Sequence, residues 1–88
     1  MKLIVCILQD LDKEPVAKAL TQEEYRVTVL PSTGAYFRRG NSTLLIGVED
    51  DQVSPAIEVI RENCAGPVES GTKRATLFVL NVDRFEQV

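Results

Sequence analysis

The chain has 88 residues, a formal net charge of −3 and no histidine. That length holds one core and no second, so residues 1–88 are expected to form a single domain, and an apolar share of 44% in so small a body raises the expectation of self-association. The acidic balance excludes a general DNA or RNA binder, which needs lysine and arginine in excess, and the missing histidine removes the commonest general base and metal ligand together.

Lys2 to Leu8 form a continuous run of branched apolar residues, the pattern of a first, central strand covered on both faces. Asp12 then suits the cap of a first helix, with Pro15 in its opening turn and Leu11 placed to staple against Val16. Val16, Ala19 and Leu20 repeat at helical spacing, and the helix ends near the solvated pair Glu23 and Glu24. From Tyr25 to Leu30 the side chains alternate: Tyr25, Val27 and Val29 share one face, Arg26, Thr28 and Leu30 the other.

After Pro31 comes a loop, Thr33 to Asn41, with two arginines and no acid. Ser42 to Val48 resume as a third strand that carries Gly47 in its interior, where glycine often marks close approach of something else. Asp50, Asp51 or Ser54 can cap a second helix whose apolar stripe is Val53, Ala56, Ile57, Ile60 and Cys64. Ala65 to Lys73 contains Gly66, Pro67 and Gly71 and reads as a connection, and Arg74 to Val82 as a last strand. The order βαββαβ implies an α+β, ferredoxin-like sandwich in which right-handed crossovers set both helices on one side of the sheet. The other side needs a cover, and a second copy of the chain is the simplest one.

Cys6 and Cys64 suit buried thiols in a reducing, cytoplasmic setting better than a disulfide framework, and they form no Cys-x-x-Cys pair for zinc. No stretch approaches the ~20 apolar residues of a membrane span, so no membrane insertion is expected. Glu49, Asp50 and Asp51 stand before a helix, where adjacent carboxylates serve as capping and macrodipole groups more readily than as metal ligands. Neither a metal nor a cofactor is expected.

Chemistry concentrates in the Thr33 to Asn41 loop. Gly34 and Gly40 let backbone N–H groups approach a phosphate, Arg38 and Arg39 supply charge, Tyr36 and Phe37 offer a stacking surface, and Asn41 can pair with an adenine edge. Composition alone favours the plainer account of a hairpin loop with solvated arginines. Arg26 and Thr28, on the face the helices leave bare, add groups that can converge with the loop at an intermolecular cleft.

The segments Met1-Lys2-Leu3-Ile4-Val5, Gln9-Asp10, Tyr25-Arg26-Val27-Thr28, Thr33 to Thr43, Gly47-Val48-Glu49-Asp50-Asp51 and Ala75 to Leu80 together resemble the PII-like cyclic di-AMP receptors. The resemblance implies a homotrimeric ferredoxin-like protein, related to the nitrogen-regulatory PII proteins, that binds the second messenger between subunits. It implies that Arg26 and Thr28 line the cleft, that the backbone at Ala35, Tyr36 and Phe37 meets phosphate, and that Asn41 reads an adenine. Gly47 would leave room for the ligand, and Phe78 and Gln87 would complete the pocket.

Two features depart from that family. Ala35 stands where a second glycine is usual, and at a positive φ an alanine would cost about 1 kcal/mol. The short Ala65 to Lys73 connection stands where the family carries a long, glycine-rich, mobile loop. The expected function is a non-enzymatic receptor for a small anionic nucleotide that signals to a protein target. The alternatives are a trimeric interaction module that has lost its ligand and, at low weight, an acylphosphatase-type hydrolase. For the hydrolase the arginines and Asn41 sit on the wrong connection, because Leu8 to Asp12 holds neither arginine nor glycine.

Overall fold

A computed structural model describes residues 1–30, 40–65 and 73–88. Strand β1 (Lys2–Gln9) leads into helix α1 (Asp10–Gln22), then β2 (Arg26–Leu30), β3 (Asn41–Val48), a 3-10 turn (Asp50–Gln52), helix α2 (Val53–Asn63) and β4 (Ala75–Asn81). The sheet runs β2-β3-β1-β4 and every neighbouring pair is antiparallel. This is a small α+β arrangement compatible with the ferredoxin-like topology expected from the element order.

Pairing register sorts the strands into two faces. Ile4, Cys6 and Leu8 lie opposite Ile46, Leu44 and Ser42 on β3 and opposite Val79, Leu77 and Ala75 on β4. On this side Ile4, Cys6, Leu8, Leu44 and Ile46 are fully buried and form one core with Val16 and Leu20 of α1 and Ala56 and Ile60 of α2. Both helices therefore cover the same face. Val53, Ile57 and Cys64, placed on the apolar stripe of α2 by their spacing, pack against that core.

The opposite face carries Leu3, Val5 and Ile7 of β1, Thr43, Leu45 and Gly47 of β3, Arg26, Thr28 and Leu30 of β2, and Thr76, Phe78 and Leu80 of β4. Among these only Thr43 is buried; Leu3, Val5, Ile7 and Leu45 are half-buried, and Phe78 and Leu80 stand about half exposed. The β1 run is thus covered on one side within the chain, not on both.

The helix ends correct four expectations. No side chain caps α1, which begins two residues before Asp12. Asp12 instead lies buried within the first turn, where its Oδ1 accepts the Ala65 N–H at 3.1 Å and so holds the exit of α2 against the start of α1. Leu11 is 69% exposed, so it staples nothing, and Pro15 sits beyond the opening turn. None of Asp50, Asp51 and Ser54 caps α2: the 3-10 turn leads directly into it, and Asp50 Oδ1 lies 3.1 Å from the Met1 amino group, which holds its carboxyl below the usual range.

Helix α1 closes with a glutamate where glycine is usual. Glu24 takes φ 68°, its N–H donates to the Thr21 carbonyl at 2.9 Å, and the Tyr25 N–H donates to the Leu20 carbonyl at 3.0 Å. These are the two bonds of a Schellman close, whose left-handed residue is strained with a Cβ. Glu24→Gly is expected to stabilise the fold by about 0.5–1 kcal/mol, which thermal unfolding reads as a rise of about 2–8 °C.

Burial in the core, and secondarily the nearby Cys64, push the Cys6 thiol from its ordinary 9.0 to about 12. A folded-state pKa above the unfolded one means that this group's stabilisation is complete below pH 9 and declines as pH climbs toward 12. Between pH 8 and pH 10 the thiol should remove on the order of 1 kcal/mol of stability. Urea titrations of the chain and of Cys6→Val at both pH values test this, and the variant's loss should be smaller by that amount.

Candidate functional site

The register sets the candidate residues in rows across the uncovered face. One row reads Thr28, Leu45, Val5 and Phe78 from β2 to β4, and its neighbour reads Arg26, Gly47, Leu3 and Leu80. Arg26 and Gly47 are thus direct cross-strand partners, with Thr28 two residues along the same face. Asn41 opens β3 on that face, opposite Gln9. Every described residue implicated in ligand contact on a strand (Arg26, Thr28, Asn41, Gly47 and Phe78) therefore shares one side of the sheet.

Their spacing divides them. Arg26 and Thr28 belong to the β2 edge and Phe78 to the β4 edge, with β3 and β1 between. At ~4.8 Å per strand step the two edges are about 14 Å apart, too far for one small pocket within a protomer. Gln87 is exposed in the tail after β4, and no hydrogen bond among the described residues ties it to the sheet. Gly34, Ala35, Tyr36, Phe37 and Arg38 lie outside the described residues, as do Gly66, Pro67 and Gly71 of the α2–β4 connection.

The electrostatics at the β2 edge favour an anion. Arg26 and Thr28 are exposed, and no carboxylate among the described residues pairs with Arg26. The adjacent Gly47 leaves a gap on the face: a Cβ built there would meet nothing within 4 Å. Packing among the described residues gives no reason for a glycine at that point.

Sequence reasoning missed what holds Asn41 in place. Gly40, the first described residue after the β2–β3 connection, takes φ 87°, and its carbonyl accepts the Asp10 N–H at 2.9 Å. The Ser42 hydroxyl in turn donates to Asp10 Oδ1. Asp10 thus fixes the residues on either side of Asn41 to the first turn of α1. The quoted pair Gln9-Asp10 carried the signal, but as one acid among 13 acidic residues it could not be told from a helix-start charge. Gly40→Ala should cost about 1–2 kcal/mol through its positive φ, read as a lowered urea midpoint with the slope unchanged.

The family model described as a cyclic-di-AMP receptor matches residues 1–69, from β1 through α2 and into the connection that follows it. Among solved structures, a crystal structure of a functionally unknown protein from Pediococcus pentosaceus ATCC 25745 is similar at 32% identity and a TM-score of 0.79. The alignment covers 99% of this chain and 96% of that one. The matched span includes Arg26, Thr28, Asn41 and Gly47 with the connection between β2 and β3, and by it this chain belongs to the cyclic-di-AMP receptor family.

Proposed function

We propose that the chain is a non-enzymatic receptor that binds cyclic di-AMP at clefts between the subunits of a homotrimer. Family membership supports the nucleotide, and one observation carries the placement between subunits. Arg26 and Thr28 occupy one edge of the uncovered face and Phe78 the other, about 14 Å away, which supports a cleft that draws Arg26 and Phe78 from two chains. A half-exposed apolar face offers the contact that brings a second copy there.

In that cleft the Arg26 guanidinium faces a phosphate, the Thr28 hydroxyl supplies a further polar contact, and Asn41 pairs with an adenine. Gly47 gives the ligand room beside Arg26. Gly34, Ala35, Tyr36, Phe37 and Arg38 supply the remaining phosphate and stacking contacts, and Phe78 and Gln87 come from the neighbouring subunit. Binding is read by a protein target through the β2–β3 connection, whose return strand is held by Asp10.

Calorimetric titration with cyclic di-AMP should show saturable binding, and sedimentation should give a trimer. Arg26→Ala is expected to weaken binding by about tenfold or more, the value of a charge-assisted hydrogen bond. A subunit-mixing experiment separates a shared cleft from a site inside one chain. If Arg26→Ala and Phe78→Ala each abolish tight binding alone, trimers assembled from an equal mixture should regain it in about a quarter of their clefts, by random assortment of neighbours. No recovery in mixed trimers would place the two residues in one protomer's site and defeat the cleft reading. No heat from cyclic di-AMP at protein concentrations well above micromolar would defeat the receptor reading itself.

A further inference from the structure

On the helix side of the sheet, away from the candidate nucleotide face, a cleft of about 390 Å³ opens between α2 and the start of β4. Its described lining is Ile57, Ile60, Arg61 and Cys64 from α2, Lys73 and Arg74 before β4, and Ala75 and Leu77 within it. Ala75 and Leu77 belong to the helix-facing set by register, so the cleft and the Arg26 row lie on opposite sides of the sheet.

The lining separates by chemistry. Ile57, Ile60, Ala75 and Leu77 make an apolar floor, of which Ile57 and Leu77 remain half-exposed to water. Arg61, Lys73 and Arg74 make a rim of three cations, and none of the described lining residues is acidic, although the whole chain is negatively charged. Arg61 pairs with Glu58 at 2.6 Å, but both side chains are largely exposed, and a solvated pair of this kind gives way readily to a competing anion. Lys73 has no ion pair among the described residues. Burial first, and then the Asp12 carboxylate, raise the Cys64 thiol above its ordinary range, while Arg74 acts on it with the opposite sign. Apolar walls with a few convergent polar groups, at this volume, suit a small molecule.

We propose that this cleft is a second ligand site, which takes a small amphipathic anion with its apolar body on Ile57, Ile60 and Leu77 and its carboxylate or phosphate at Arg61 and Lys73. The site is independent of the nucleotide reading and uses none of its residues.

Cys64 supplies a readout that does not depend on any activity. It lines the cleft half-exposed, whereas Cys6 is 0% exposed, so a soluble maleimide reacts with the folded chain at Cys64 alone. Dodecanoate and dodecyl phosphate, each below its micelle-forming concentration, should slow that reaction saturably, and the better of the two identifies the headgroup. Dodecyltrimethylammonium, with the same tail and opposite charge, should not protect, nor should inorganic phosphate, which lacks the tail. The double substitution Arg61→Glu with Lys73→Glu, at two exposed positions, should weaken protection by about tenfold or more. Lys73→Ala alone should weaken it less. Equal protection by the cationic and anionic amphiphiles, or none by either anion, would overturn the proposal. Cyclic di-AMP titration of the double variant should match the unaltered chain, so failure here and failure of the nucleotide site are told apart.

Discussion

The structure depends on one constraint: a four-stranded sheet has two faces, and both of the chain's helices pack on the same one. The βαββαβ order imposes this, since each right-handed crossover returns its helix to the same side. What α1 and α2 bury is close to complete, with Ile4, Cys6, Leu20, Leu44 and Ile46 at 0% exposure. What they leave is a face with Leu3, Val5, Ile7, Leu45, Phe78 and Leu80 that no helix among the described residues covers. Full burial of a side chain of that size is worth about 1.5–3 kcal/mol, and Phe78 and Leu80, about half exposed, leave part of that gain for a partner.

Among the strand residues of that face, charge lies at the β2 edge with Arg26, while Thr43 and Thr76 add neutral hydroxyls elsewhere. Arg26 and Thr28 hold the β2 edge, and Gly47 stands beside Arg26 with no steric need for a glycine among the described residues. Leu3, Val5 and Leu45 lie between these groups and Phe78. An apolar centre with one polar edge is how a surface is built when it must hold another copy of itself and leave a cleft at the margin. The same partition explains why charge counting over the whole chain says little about ligands. A net charge of −3 coexists with an arginine that has no ion pair among the described residues on one side of the sheet, and with three cations around a cleft on the other.

Strands and faces were legible in the sequence because their signals are periodic and repeated. Alternation in Tyr25 to Leu30 placed Arg26 and Thr28 on the face opposite Val27 and Val29, and the pairing register agrees. The stripe from Val53 to Cys64 likewise identified the buried side of α2. The caps were not legible, since an aspartate near a helix start has several available partners and local sequence does not choose among them. Asp12 bonds Ala65, 53 residues away, and Asp10 bonds Gly40 and Ser42 across the sheet. Glu24 was hidden for a related reason: its left-handed turn is stabilised by two backbone bonds and by Tyr25 against the core, none of which its own residue type announces. The α2–β4 cleft escaped notice because its cations come from residues 61, 73 and 74, which no local pattern unites.

Asp10 and Asp12 tie these observations together. They stand two residues apart in the first turn of α1, where the helix N-terminus favours negative charge. Asp10 binds Gly40 and Ser42, where the β2–β3 connection returns to the sheet, and Asp12 binds Ala65, where the α2–β4 connection departs. Each acid therefore holds one end of one connection, and both ends are held from the same helical turn. A single helical turn cannot shift at one of these carboxylates without carrying the other, because the backbone bonds of α1 and the packing of Val16 and Leu20 hold the turn as a unit. The backbone at Gly40 to Ser42, around Asn41, and the chain at Ala65, next to Cys64, are consequently held by a common anchor.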